Sequence, residues 1–178
     1  MNKKIIPRGK YELIHNPGDD FKELVYWMND KESHIPPYFI PVLALLGTCF
    51  AIEGYINMVG QQVDPDWSKF ERGHITLKDR LERIYSRINK TLICGNGIWQ
   101  NVLEIFKIRI EIVHPTYRNQ EEIRTEAIPD IFDIVKKKYP QSKSREILEN
   151  AIDTLLKDTD LNHLKDIGKI EGYSGPIR

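Results

Sequence analysis

Phe39-Ile40-Pro41-Val42-Leu43-Ala44-Leu45-Leu46-Gly47-Thr48-Cys49-Phe50-Ala51-Ile52 is the one membrane-like run of the chain, and it closes on Glu53. A spanning helix needs roughly 20 consecutive apolar residues. This run has fourteen and carries Pro41, Gly47 and Thr48 within it. It therefore reads as the front half of a buried core helix over about 38–63, apolar first and polar toward its end. Asp64-Pro65-Asp66 breaks that helix, and 66–75 reads as a loop whose Trp67 and Phe70 dock onto the core.

The rest of the chain follows the same helical period. Phe21, Leu24, Val25 and Met28 share one face of a helix over 19–31, with Asp19 or Asp20 as its N-cap. Thr76-Leu77-Lys78-Asp79 has the form of a capping box with Asp in place of Glu, and Leu77, Leu81, Ile84 and Ile88 form the stripe behind it. Cys94-Gly95-Asn96-Gly97 is a turn. A helix over 98–113 follows, and two weaker ones over about 128–138 and 143–158 flank Pro140. Gly168 to Arg178 reads as a loose or partner-bound tail. The expectation is one all-α domain over 1–178, with a helical extension over about 123–165.

Composition removes several function classes. Lys+Arg and Asp+Glu balance at 26 each, so no general positive field exists to coat nucleic acid, although a local anion site remains open. Met1 to Lys10 is basic but interrupted by Pro7 and Gly9, with no apolar leader core behind it. Cys49 and Cys94 stand in separate segments without a CxxC pattern. They suggest a buried thiol at Cys49 and a reducing, cytoplasmic setting rather than a disulfide or zinc framework.

Chemistry concentrates on the helix over 98–113. Val102, Ile105, Phe106, Arg109 and Val113 recur at spacings of three and four, so Arg109 points the way of the buried residues. A guanidinium does not shed its charge and needs an anionic partner or ligand there. His114 stands at the C-terminal end, before Pro115, where the helix dipole favours imidazolium. On the long helix, Glu53 continues a stripe with Leu45, Leu46, Cys49 and Ile56, and Asn57 follows one turn later. The simplest inference pairs Glu53 with Arg109, either as a bridge that fixes helix register or as part of a site.

The order Glu53-x-x-x-Asn57, Phe70-Glu71-Arg72, Leu77-x-Asp79-Arg80-Leu81 and Arg109-x-x-x-x-His114-Pro115 resembles the HEPN domains (higher eukaryotes and prokaryotes nucleotide-binding). The likeness is to stand-alone members linked to bacterial defence and toxin–antitoxin pairs, over roughly residues 38–120. It implies a four-helix-bundle-like core, here with additional N- and C-terminal helices, that forms a homodimer around a shared cleft. In active members that cleft is a metal-independent endoribonuclease. On this mapping His114 would be general acid/base at the RNA 2′-hydroxyl or leaving oxygen, and Arg109 would hold the scissile phosphate. Glu53 and Asn57 would orient Arg109. Some toxin members carry a tyrosine two residues after the histidine; here Tyr117 comes three after. The residue after the arginine, usually polar in active members, is Ile110, which favours as the alternative a non-catalytic module binding nucleotide, RNA or protein. The implied partners are RNA, a second copy, and a cognate antitoxin or defence-complex protein, with no cofactor, metal or membrane.

Other candidates have plainer readings. His74 is a solvated loop histidine, and His15, His34 and His163 lack metal-site spacing. Lys136-Lys137-Lys138 suits a helix C-terminus and a solvated face, with RNA contact a lesser possibility. Trp67 and Trp99 read as core anchors, and Gly95-Asn96-Gly97 lacks the strand and lysine of a phosphate loop.

Overall fold

In a computed structural model of the chain, residues 17–27, 37, 39–73, 75–113 and 131–166 are described. The fold is all-α, with no strand among them. The helices are α1 (Pro17–Trp27), α2 (Ile40–Val63), α3 (Trp67–Phe70), α4 (Leu77–Arg87), α5 (Gly97–Val113), α6 (Ile131–Lys138) and α7 (Gln141–Asp158), followed by a 3-10 turn at Asn162–Asp166.

The long apolar run decides the architecture. α2 is long and apolar enough to cross a membrane by length and composition, yet most of it is enclosed by its neighbours. A helix apolar around its circumference has to be surrounded, and α1, α4, α5, α6 and α7 all pack against it. The polar atoms inside the run find partners on those neighbours. Thr48 Oγ1 donates to the Ser144 carbonyl on α7 at 3.3 Å. The Cys49 thiol lies 3.8 Å from the Ile105 carbonyl on α5 as a donor. Burial pushes that thiol far above its ordinary range, so it stays protonated.

α2 ends in a compact corner. The Asp64 N–H donates to the Gly60 carbonyl at 2.9 Å, and Asp64 Oδ1 accepts from the Asp66 N–H at 3.1 Å. The chain then turns into α3, a helical turn inside the segment expected to be loop, which swings the Trp67 indole down onto Gly60. A Cβ on Gly60 would stand 2.2 Å from Trp67 Cε2, so only glycine permits this approach. Arg83 and Arg87 of α4 reach back to the buried Asp64 carboxylate at 2.6 and 2.9 Å. The expected capping box starts α4: Thr76 Oγ1 accepts from the Asp79 N–H at 3.2 Å, and Asp79 Oδ2 accepts from the Thr76 N–H at 2.9 Å.

The expected extension over 123–165 includes α7, and α7 is a core element. Its Ile147, Leu148, Ala151, Ile152, Leu155 and Leu156 are buried in the same cluster as α2. A polar relay closes that end of the bundle: Trp99 Nε1 donates to Tyr85 Oη at 2.9 Å, the Tyr85 hydroxyl donates to Asp158 Oδ2 at 2.5 Å, and Lys90 Nζ donates to the Asp158 carbonyl at 2.6 Å. Trp67 and Trp99 are both buried anchors, as expected.

Two local expectations are corrected. α1 begins at Pro17, which puts Asp19 and Asp20 inside its first turn rather than at its cap; proline's fixed φ and missing N–H suit a first helical position. Val113, expected on the buried stripe, is 48 % exposed, while Val102, Ile105 and Phe106 earlier on α5 are buried.

Candidate anion site

The charged residues on core-facing helix positions meet in one cluster between α2, α4 and α5. Glu53, one turn beyond the buried Cys49, presents its carboxylate to two guanidinium groups. Its Oε1 accepts from Arg80 Nη1 at 2.9 Å, and its Oε2 lies 3.8 Å from Arg109 Nη2. Asn57 Oδ1 accepts from the same Arg80 Nη1 at 3.1 Å. The distances rank the two pairs. A charge-assisted hydrogen bond spans about 2.7–2.9 Å, so Glu53 is bonded to Arg80 and only ion-paired with Arg109.

The expected Glu53–Arg109 pair is present as an ion pair at 3.8 Å, but the shorter bond of Glu53, and that of Asn57, go to Arg80. Arg109 also lies against two aromatic rings, with its guanidinium carbon 5.0 Å from the Phe50 ring centre and 5.8 Å from that of Phe106. A planar guanidinium gains from such faces when partly desolvated. Among the described residues its Nε–H is buried without a partner, and so is the Nε–H of Arg80. A buried donor left unpaired costs about 1–3 kcal/mol. Both donors belong to this one cluster, so it carries polar groups that the described residues do not satisfy.

The electrostatic sum is simple. Among the described residues one carboxylate faces two cations, a net charge of +1 at a partly open position where the side chains of Glu53 and Arg109 are 29 % and 27 % exposed. Arg80 is better covered, at 16 %. Just beyond Arg109, Ile110 is 56 % exposed, so an apolar surface flanks the cationic one.

Compared with protein-family models, curated proteins and solved structures, the chain matches none. The residues therefore speak through their geometry alone. Glu53, Asn57 and Arg109 lie in the cluster; His114 and Tyr117 fall outside the described residues, as do His15, His34 and His74. His163 is exposed in the 3-10 turn. Among the described residues no group of three His, Cys, Asp or Glu side chains is placed to hold a metal ion. Lys138 is bound to Glu104 at 3.0 Å, which ties α6 to α5, while Lys136 and Lys137 are exposed.

Arg80 is the member that sequence reasoning left without a role, although the signal was present. It stands three residues after Leu77 and four before Ile84, on the stripe that buries α4. The criterion that singled out Arg109, a charge at a core-facing helix position, applies to it equally. What spacing does not reveal is which of two arginines a single carboxylate prefers.

Proposed function

We propose that this chain is a HEPN-like, metal-independent endoribonuclease that cleaves RNA through its own 2′-hydroxyl in a cleft between two copies, in a defence or toxin–antitoxin setting. Arg109 carries the reading. It is a partly exposed guanidinium with a buried, unpartnered Nε–H, an ion pair of 3.8 Å and the Phe50 ring centre 5.0 Å from its central carbon. A phosphodiester supplies the bidentate acceptor such a group lacks, and the negative charge that grows on it during transfer strengthens the contact. His114, one residue past the end of α5, acts as general acid/base on the 2′-hydroxyl or the leaving 5′-oxygen. The nucleophile belongs to the substrate, so the reaction proceeds without a metal. The neutral chain builds its positive potential locally, from the Arg80–Arg109 excess over Glu53.

A second reading has an observation of its own. Ile110 sits exposed beside Arg109 with no hydrogen-bonding group, which suits a module that binds RNA, a nucleotide or a partner protein without cutting. One experiment separates the two. Purified protein is incubated with total RNA and labelled oligonucleotides in EDTA, beside Arg109→Ala and His114→Ala. The expected result is cleavage by wild type only, with 2′,3′-cyclic phosphate ends. Binding that depends on Arg109 but survives His114→Ala, with no cleavage by any form, selects the second reading.

A further inference from the structure

We infer that Arg80 is a positioning residue whose task is to occupy Glu53, so that Arg109 stays only loosely paired and open to a phosphate. The inference rests on the proposed role of Arg109 and concerns how that role is maintained.

The geometry is a competition for one carboxylate. Glu53 Oε1 is committed to Arg80 at 2.9 Å, while Oε2 stops 3.8 Å short of Arg109. Arg80 is itself held in place by Asn57 at 3.1 Å. It is the better covered of the two arginines, so its pairing with Glu53 is less screened by water. While that pair holds, the cluster carries one surplus positive charge among the described residues, and the surplus falls on the more loosely paired Arg109. Without Arg80, Glu53 would lose its short bond and have, among the described residues, Arg109 as the cation left within reach. Rotation of its flexible side chain would close the 3.8 Å gap and cancel the charge on Arg109. An external anion would then compete with a built-in one. Arg80 touches no substrate in this scheme and acts only through Glu53.

A register-fixing role for Arg80 predicts something different. It would make Arg80 matter for stability but leave the chemistry of Arg109 unchanged. Two readouts distinguish the roles in the full chain. The first is the rate at which phenylglyoxal modifies Arg109, mapped by peptide mass spectrometry, which requires no bound ligand. The second is the affinity for a 2′-O-methyl RNA oligonucleotide, which binds without being cut. The variants are Arg80→Gln, Arg80→Met as a second form should glutamine fold poorly, Arg80→Lys, and the double variant Arg80→Gln with Glu53→Gln.

The expected result is slower modification of Arg109 in Arg80→Gln or Arg80→Met, with RNA affinity falling about tenfold, the size of one charge-assisted hydrogen bond. Arg80→Lys, which still offers Glu53 a cation, stays near wild type. The double variant recovers both readouts, because the competing carboxylate is gone. A folded Arg80→Gln protein whose Arg109 reacts at the wild-type rate overturns the inference, as does a double variant that fails to recover. If the modification pattern holds while wild type binds no RNA, the coupling stands and the RNA reading falls.

Discussion

A carboxylate with no exposed surface has to be matched, and Asp64 is matched twice, by Arg83 at 2.6 Å and Arg87 at 2.9 Å. The Arg83 hydrogen bond, ahead of the other contributions, holds the Asp64 pKa below its ordinary value. A depressed folded pKa means the stabilisation is complete above the unfolded value, about 3.9, and is lost as pH falls through the lower folded one. Asp64→Asn should therefore lower stability at neutral pH by about 2 kcal/mol. That is less than the ~3–5 kcal/mol for breaking a fully buried pair, because both arginines keep contact with water. The difference in Tm between wild type and Asp64→Asn should stay constant between about pH 6 and 8 and shrink below about pH 4. A gap that persists unchanged into acid would show that the carboxylate charge is irrelevant. The sequence announced Asp64 only as part of a helix-breaking Asp-Pro-Asp, since turn chemistry and ion pairing use the same residue type. The core-facing charges were legible for the opposite reason: Glu53 and Arg109 violate an apolar period, and a violation is visible without coordinates. Their ranking was not, because it depends on a difference of 0.9 Å between the 2.9 Å and 3.8 Å contacts.

At the scale of elements, helix boundaries followed their local chemistry. Thr76 and Asp79 satisfy each other across the first turn of α4, and four residues suffice to read that. The Gly97 turn opens α5 with a φ of +71°, a conformation that favours glycine. α3 was less legible. Its four residues are too few for a period, and it is helical because Trp67 has a specific place to go. That place exists because Gly60 has no side chain. Gly60→Ala would drive a methyl into the indole, and overpacking of this kind costs about 1–3 kcal/mol. The expected outcome is a loss near the top of that range, since the obstacle is a buried ring rather than a flexible chain end. Denaturant unfolding measures it. A companion change of Trp67→Leu should recover part of the loss in the Gly60→Ala background, which a purely conformational effect of the glycine would not allow.

At the scale of the molecule, the described helices are organised around α2, and α7, the last long one among them, is a full member of the core. α7 buries Ile147, Leu148, Ile152, Leu155 and Leu156. At about 1.5–3 kcal/mol for each such side chain, their combined burial rivals the entire ~5–15 kcal/mol stability of a domain. A chain ended at Pro140 should therefore show no cooperative thermal transition by circular dichroism, and a sharp transition would mean that α1 to α6 form a core without it. The sequence conveyed the helical class through its periods. It did not convey that α7 packs on α2, because amphipathic stripes state that a face is buried but not against which partner.

This arrangement sets an order in time. α2 is complete at Val63, whereas α7 begins at Gln141, about 80 residues later. At a synthesis rate of about 5–20 residues per second, the apolar helix waits roughly 4–16 s for that partner to be made. For that interval the nascent chain displays a 24-residue helix with the length and composition of a membrane span, with α7 still unmade. Slower translation over residues 64–140 lengthens the wait, and a chaperone that shelters α2 shortens its exposure. The pace of the ribosome over residues 64–140 thus sets how long α2 waits for the helix that completes its enclosure.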